Sequence, residues 1–177
     1  NPMVLVKAED IGATGTELPE EVNSDTELCE KLKKIRGTAA CMMGFAKDLK
    51  DATDNSPAVP KVGFVTVPKS YTDISGEQIQ AEDMDICARV ISVFKCHKAI
   101  PLTAASATAV AAALPGSVVQ KVMAPGISTE NVRIGHPSGI MTMCPEIEQD
   151  GDEIKVPSVG VQRTARRIMD GTVYIRR

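Results

Sequence analysis

Hydrophobic residues recur with two different periods in the first half of this chain, and they predict strands that alternate with one long helix. Runs rich in β-branched, aromatic and other apolar residues are predicted strands at 3–6, 61–67 and 86–94. Behind the capping-box pair Ser24 and Glu27, apolar residues at helical spacing predict a surface helix from about residue 25 to about residue 49.

The second half centres on a stretch without any charged residue. Residues 103–114 are alanine, threonine, serine, valine and leucine only, a composition of high helix propensity that Pro115 and Gly116 close. A helix that is apolar all round has no face suited to water, so we expect it to be buried on nearly all sides. Short strands are predicted around it at 118–123, 131–134, 140–143, 155–161 and 172–175. Many strands around one buried helix indicate an α+β fold in which a curved sheet wraps the helix.

Composition narrows the class of partner. The 177 residues suffice for one domain, or two small lobes, with a core that needs no disulfides, and one compact unit is expected. The formal net charge is −3 and no long run of Lys or Arg occurs, so nucleic acid is not an expected partner. Five cysteines without a Cys-x-x-Cys pair disfavour a disulfide framework or a zinc ribbon and favour a reducing cytoplasm. No stretch approaches the roughly 20 apolar residues that span a bilayer, so no membrane is expected.

The start of the charge-free helix is a candidate anion site. The N-terminus of a buried helix presents N–H groups and a positive dipole end, which together hold a carboxylate without a cation. Thr103 is the predicted N-cap, and Ser106 could add its hydroxyl to the same anion. Ala104 and Ala105 would let a ligand approach the backbone. The alternative is a plain cap on a core helix.

A small-residue loop over residues 11–17 is a second candidate. It can present the hydroxyls of Thr14 and Thr16 and its backbone N–H groups to a ligand, or it can simply turn a corner.

Polar and reactive side chains follow directly after the 86–94 strand. His97 could titrate near neutrality, and it serves either in a cleft beside Lys98 or in packing. Cys96 is typical of an inert, partly buried thiol, and His136 of a structural residue in a turn.

Three arginines near the end of the sequence, Arg163, Arg166 and Arg167, could neutralise a polycarboxylate, because guanidinium forks suit that task. On a short helix Arg163 and Arg167 would share one face. A solvated basic patch is the alternative for two of the three.

Three parts of the sequence together resemble the family of PrpF, methylitaconate isomerase and oxalomesaconate tautomerase. The first runs from Asn1-Pro2 to Gly15-Thr16-Glu17-Leu18, the second from Ala88-Arg89 to Pro115-Gly116, and the third pairs IGHPSG at 134–139 with QRTARR at 162–167. The resemblance covers nearly the whole chain in the family's order, and the last pair of motifs is more specific than a lone glycine motif.

This resemblance implies the diaminopimelate epimerase-like fold. That fold has two lobes, each a curved mixed or antiparallel sheet around a central helix, and the substrate lies where the two helix N-termini face each other. Residues 1–177 match one lobe, as a single domain equivalent to the C-terminal lobe. The chain opens on Asn1-Pro2 as though cut after the glycine of the family's Gly-Asn-Pro junction. The N-terminal lobe, with the lysine and thiol that the family uses for proton transfer, is therefore expected as a missing partner.

The implied activity is a cofactor-independent shift of a C=C bond in an unsaturated polycarboxylic acid such as aconitate, methylaconitate or methylitaconate. No metal is expected, the acid and base belong to the missing lobe, and the chain alone is predicted to be inactive; a homo-oligomer is left open. The substrate-binding residues expected here are Asn1, Thr14, Thr16, His97, Lys98, Thr103, Ala104, Ala105, Ser106, Ser138 and Gly139. The alternatives are a keto-acid tautomerase of the oxalomesaconate type and a non-catalytic carboxylate-binding or structural fragment.

Two positions depart from the family's pattern. Ala104 stands where the family usually has glycine, and its methyl group is expected to narrow the pocket. Phe94 stands where the family tends to have glycine after Ser-Met, so packing near the cleft is expected to differ. No cysteine lies at 103–106, which argues against the two-thiol epimerases of this fold.

Overall fold

Strands from all parts of the chain form one mixed sheet, and helices pack on both of its faces. The computed structural model describes residues 2–124, 126–150, 153–163 and 165–175. The strands are β1 (Met3–Lys7), β2 (Lys61–Thr66), β3 (Tyr71–Thr72), β4 (Gln78–Ile79), β5 (Ile86–Ser92), β6 (Lys95–Cys96), β7 (Val132–His136), β8 (Gly139–Asp150) and β9 (Glu153–Val161). The helices are α1 (Ala8–Ile11), α2 (Pro19–Ser24), α3 (Thr26–Met42), α4 (Leu49–Asp54), α5 (Leu102–Ala113) and α6 (Val118–Val122).

The main sheet has the strand order β1-β2-β5-β7-β8-β9, and β6 pairs with the end of β5. The β1–β2 and β5–β7 pairs are parallel, whereas the β2–β5, β7–β8 and β8–β9 pairs are antiparallel. Strands β3 and β4 form a separate small sheet. The predicted α+β class and the curved mixed sheet are therefore confirmed.

Strand β5 is buried on both faces, and its alternating side chains belong to two different cores. Ile86, Ala88 and Val90 pack with α5 and α6 on one face of the sheet. Ile91 points to the other face, where it shares a core with Leu32 of α3. Successive side chains of a strand point to opposite faces, so one strand serves both layers of helices.

Helix α5 lies against the sheet along one stripe. The residues of this stripe have no exposed surface and are Ala104, Ala105, Thr108, Ala109 and Ala112. The Thr108 hydroxyl donates to the Ala104 carbonyl at 2.8 Å, which satisfies the polar group of the stripe. The opposite side, with Ser106 and Val110, is partly exposed, because the sheet curls only half-way around the helix. Burial on nearly all sides, as the sequence predicted, is therefore wrong for this chain.

The long helix predicted over residues 25–49 is divided. Asp25 caps α3 by accepting a hydrogen bond from the Leu28 N–H at 2.9 Å, so the predicted Ser24–Glu27 capping box does not form. Helix α3 ends at Met42, because Gly44 takes the left-handed conformation with φ of 76° and stops the helix. A separate short helix, α4, follows.

Two of the predicted strands are wrong. The stretch 118–123 forms helix α6, whose N-cap Ser117 accepts a hydrogen bond from the Gln120 N–H at 3.0 Å. Val119 and Val122 lie three residues apart and are both buried, so one helical face enters the core despite the strand preference of valine. Residues 172–175 form no strand, and the described residues 165–175 contain no regular structure.

Candidate functional site

Helix α5 begins one residue earlier than predicted, and its N-cap is Pro101. Thr103 is therefore the second residue of the helix and does not cap it. The N–H groups of Ala104 and Ala105 both donate to the Pro101 carbonyl, at 2.9 Å and 2.9 Å. The side chains of Ala104 and Ala105 belong to the core, so the Ala104 methyl group packs against the sheet and does not narrow a pocket. The helix end keeps its positive dipole.

The hydroxyl of Ser106 is already engaged. Its Oγ donates to the Leu102 carbonyl at 3.0 Å. A hydroxyl has one proton, so it could donate to a substrate carboxylate only by giving up this bond. An anion at this helix end would therefore be attracted by the helix dipole and not by the Ser106 hydroxyl. Ser106 instead lines an open groove of about 470 Å³ between α5 and Val156 of β9.

His97, Lys98 and Ser138 come together just before α5, and we call them the His97 cluster. The Ser138 hydroxyl donates to the Lys98 carbonyl. His97 is half-buried; burial, followed by the charge of Lys61, lowers the pKa of its imidazole. The buried Nε2 atom of His97 has no hydrogen-bond partner among the described residues. The cluster thus combines the exposed Lys98 side chain with a half-buried imidazole, a few residues before α5 along the chain.

The turn that carries Ser138 and Gly139 is rigidly held. The buried Tyr71 hydroxyl shares its one proton between the His136 carbonyl at 2.6 Å and the Gly139 carbonyl at 2.9 Å. Burial raises the pKa of Tyr71 to about 12, so the hydroxyl keeps its proton. His136 is buried and its Nδ1 accepts from the Ser138 N–H at 3.2 Å. Burial and then Arg89 lower the pKa of His136 to about 4, which fits the predicted structural role of a neutral imidazole.

The loop with Thr14 and Thr16 already contains an anion of its own. The Glu17 carboxylate accepts hydrogen bonds from the N–H groups of Thr14 and Gly15. The two threonine hydroxyl oxygens lie 3.1 Å apart, and Lys69 Nζ donates to the Thr14 carbonyl at 2.7 Å. The loop therefore closes on itself, and a substrate carboxylate would have to displace Glu17.

The Thr14 loop and the His97 cluster lie at different positions along β2. A Cβ added to Gly15 would lie 2.2 Å from the side chain of the last residue of β2, so the loop sits against that end. The His97 N–H donates to the Val90 carbonyl, and Val90 is paired with Gly63 near the start of β2. The remaining length of strand spans roughly 10 Å. The anchor points of these two parts of the expected site are therefore three residues apart along β2.

Arg89 connects the Thr14 loop to the Ser138 turn from inside the fold, and the sequence did not identify it as a site residue. It is fully buried. Its Nε donates to the Glu17 carbonyl at 2.6 Å, and its guanidinium lies over the Tyr71 ring at 4.9 Å. The available signal was a single charged residue inside the otherwise apolar run of β5. Arg89 therefore positions the Thr14 loop and the tyrosine that holds the Ser138 turn.

The remaining candidates that the structure describes do not join this site. Arg163, Arg166 and Arg167 are exposed and lie on no helix, so the shared helical face is wrong; Arg167 pairs with Asp170 at 3.0 Å. Cys96 is buried, and burial raises the pKa of its thiol to about 11, as expected of an inert residue. Asn1 lies outside the described residues.

The described ranges contain no group of three or more His, Cys, Asp or Glu side chains arranged to hold a metal ion. Within the same ranges, no helix combines the length and the apolar character needed to cross a membrane.

The chain belongs to the PrpF family, because the family model described as PrpF protein matches residues 1–176. The 3-methylitaconate isomerase of Eubacterium barkeri is 39% identical over 176 residues, which are 99% of this chain and 45% of that protein. The 2-methyl-aconitate isomerase of Shewanella oneidensis is 40% identical, over 98% of this chain and 43% of its own length. The (4E)-oxalomesaconate Delta-isomerase of Novosphingobium sp. is 30% identical, over 98% of this chain and 43% of its own length.

The crystal structure of a methylitaconate-delta-isomerase superposes with a TM-score of 0.81 at 33% sequence identity. The match covers 92% of this chain and 44% of that protein. The diaminopimelate epimerase-like fold expected from the sequence is thereby confirmed. The chain spans less than half the length of the relatives it matches.

Proposed function

We propose that this chain is the C-terminal lobe of a cofactor-independent isomerase that moves a C=C bond within an unsaturated polycarboxylic acid of the aconitate, methylaconitate or methylitaconate class. The observation that carries the proposal is the similarity of nearly the whole chain to a 3-methylitaconate isomerase and a 2-methyl-aconitate isomerase, at 39% and 40% identity. A keto-acid tautomerase is the second candidate, and the 30% identity to an oxalomesaconate isomerase supports it.

A companion lobe is supported by apolar surface that this chain leaves uncovered. The groove along α5 is open, and the segment 165–175 exposes large apolar side chains almost completely. They are Ile168, Met169, Val173, Tyr174 and Ile175, each at least 84% exposed. Such a density of exposed apolar residues is typical of a surface that another part of the protein covers.

The reaction needs few groups. One base removes a proton beside a carboxylate, fixed donors hold the charge of the dienolate, and an acid returns a proton at the other end of the allylic system. One proton leaves and one returns, so the product is an isomer and no oxidant or cofactor enters the balance. In our proposal the companion lobe supplies the acid and base, and this lobe orients the substrate.

The substrate carboxylates are proposed to bind at the first turn of α5 and the His97 cluster. The helix end contributes its positive dipole, and Lys98, four residues before α5, contributes a full charge. Ser138 and Gly139 close the site on a turn that Tyr71 fixes. The five cysteines are free thiols, which suits the reducing cytoplasm that we propose as the location.

The test is a substrate panel on the complete protein that contains this chain. Each candidate acid is incubated in D₂O, and proton NMR follows both double-bond migration and deuterium uptake at the allylic carbons. We expect isomerisation of at least one aconitate-type or itaconate-type acid. Turnover of oxalomesaconate alone would establish the tautomerase instead, and no exchange with any of these acids would contradict an isomerase.

A further inference from the structure

The sheet face opposite α5 carries a half-enclosed cavity that the proposed function does not use. Its volume is about 170 Å³, and it lies between α3, the sheet and the turn that joins β5 to β6. Its floor is apolar and is formed by Val22, Leu32, Val62 and Ile91, each at most 6% exposed. A small ligand with an apolar part would therefore find a dry surface here.

Arg36 supplies a buried positive charge at the wall of this cavity. It is 2% exposed, and its two Nη atoms donate to the carbonyls of Ser56 and Ala52, at 2.7 Å each. Its Nε is buried and has no partner among the described residues. None of the ion pairs between described residues includes Arg36. A buried guanidinium that meets only neutral acceptors lacks the anion that would offset its desolvation.

A second cation and an aromatic ring stand at the same wall. Lys33 Nζ lies 5.9 Å from the centre of the Phe94 ring, and the Arg36 guanidinium lies 5.4 Å from it. Both cations line the cavity, together with the exposed carboxylate of Glu30. Lys33 and Arg36 contribute two positive charges and Glu30 one negative charge, so the cavity wall carries a net charge of about +1. The Glu30 carboxylate is exposed to solvent, which screens its charge, whereas the Arg36 guanidinium is buried.

We propose that this cavity binds a short-chain monocarboxylate, whose carboxylate pairs with Lys33 in the field of the buried Arg36 charge and whose alkyl tail lies on the apolar floor. A single negative charge matches the net charge of the wall. A second carboxylate would have to be buried against Val62 and Ile91 without a partner, which disfavours dicarboxylates. The volume limits the tail to a few carbon atoms.

The test is NMR titration of the complete, uniformly ¹⁵N-labelled protein that contains this chain with sodium butanoate. The side-chain Nε–H resonance of Arg36 reports on the buried charge at the cavity wall. We expect this resonance to shift in a saturable way, and acetate to bind more weakly than butanoate because it has less tail to bury. Lys33→Gln should weaken binding about tenfold, the effect of one lost charge-assisted hydrogen bond. Lys34→Gln makes the same charge change one residue along and should leave the affinity unchanged.

Substitution of Arg36 itself would also break its hydrogen bonds to backbone carbonyls and could unfold the chain. A second variant therefore tests the cavity without changing Arg36. Cys29→Met fills the cavity without changing charge, and it should abolish butanoate binding while the rest of the spectrum stays folded. Inorganic phosphate that shifts the Arg36 resonance as strongly as butanoate, with no effect of tail length, would overturn the monocarboxylate site. Absence of saturation, or equal affinities of Lys33→Gln and Lys34→Gln, would overturn it as well.

Discussion

At the scale of single residues, buried polar side chains fix the candidate site more than the residues at its surface do. Tyr71 holds both ends of the Ser138 turn, and Arg89 stacks on the Tyr71 ring while it binds the Glu17 carbonyl. His136 stays neutral beneath the turn. The sequence could not show these contacts, because each joins residues that are far apart along the chain.

Tyr71→Phe removes one hydroxyl and leaves two carbonyls of the Ser138 turn without their donor. We expect the free energy of unfolding to fall by about 1–3 kcal/mol, the cost of leaving buried acceptors unpaired. Urea denaturation measures this change. Tyr174 is 92% exposed, so Tyr174→Phe is the matched control and should change stability by less than about 0.5 kcal/mol. Equal effects of the two variants would contradict the role of the Tyr71 hydroxyl.

The buried imidazole of His136 makes stability depend on pH. Burial lowers the pKa of His136 to about 4 in the folded chain, whereas the unfolded value is about 6.5. As the pH falls below about 6.5, the unfolded chain takes up a proton that the folded chain does not. This protonation lowers the free energy of the unfolded state relative to the folded state. Stability is therefore complete above that pH and is lost as the pH falls towards about 4, by at most about 3 kcal/mol.

Urea denaturation at several pH values between about 7.5 and about 5 tests this dependence, because most carboxylates stay ionised there. His136→Asn keeps an acceptor for the Ser138 N–H but cannot titrate, and it should remove more than half of the slope. The remainder is assigned to His97, whose pKa is also lowered. An unchanged slope in His136→Asn would show that the buried imidazole is not the group responsible.

Ser106 is predicted to matter little for catalysis. Because its hydroxyl donates to the Leu102 carbonyl, Ser106→Ala removes no donor from a bound carboxylate. In the complete protein we expect kcat/KM to stay within about twofold, whereas Lys98→Ala, which removes a full charge beside the helix end, should lower it about tenfold or more. A loss of more than about tenfold in Ser106→Ala would return the hydroxyl to the carboxylate site.

At the scale of elements, helices and strands with an unbroken hydrophobic period could be predicted from the sequence. Features that depend on a single capping or turn residue were missed. The strands at 61–67 and 86–94 and the alanine-rich helix were found within a few residues. The break after α3 depended on Gly44, and the helical state of 118–122 depended on the Ser117 cap. The predicted cap Thr103 lies two positions after the actual N-cap, because Pro101 has no side-chain oxygen to mark it as a cap.

The turn at the end of α3 permits a clean test of this explanation. Gly44 has φ of 76°, and a Cβ added there would meet nothing within 4 Å, so Gly44→Ala adds backbone strain and no clash. We expect the free energy of unfolding to fall by about 1 kcal/mol. Gly171 is equally open but has no positive φ, so Gly171→Ala is the matched control and should be neutral. Equal thermal midpoints for the two variants would contradict the role of the left-handed glycine.

At the scale of the whole molecule, this chain packs helices on both faces of its sheet and yet leaves one side of its central helix open. The fold could be predicted because the IGHPSG and QRTARR motifs resemble a family, and the half-open sheet could not, because composition alone made α5 look buried all round. The exposed segment 165–175 and the groove along α5 belong together in our account as surfaces for the companion lobe.

Ultraviolet absorbance of aconitate isomerisation, measured in parallel on the 177-residue chain and on the complete two-lobe protein, tests the central claim most directly. The account predicts turnover by the two-lobe protein and none by the isolated chain at the same molar concentration, because the acid and base belong to the companion lobe. Turnover by the isolated chain, at a rate that follows its concentration and survives repurification, would contradict it.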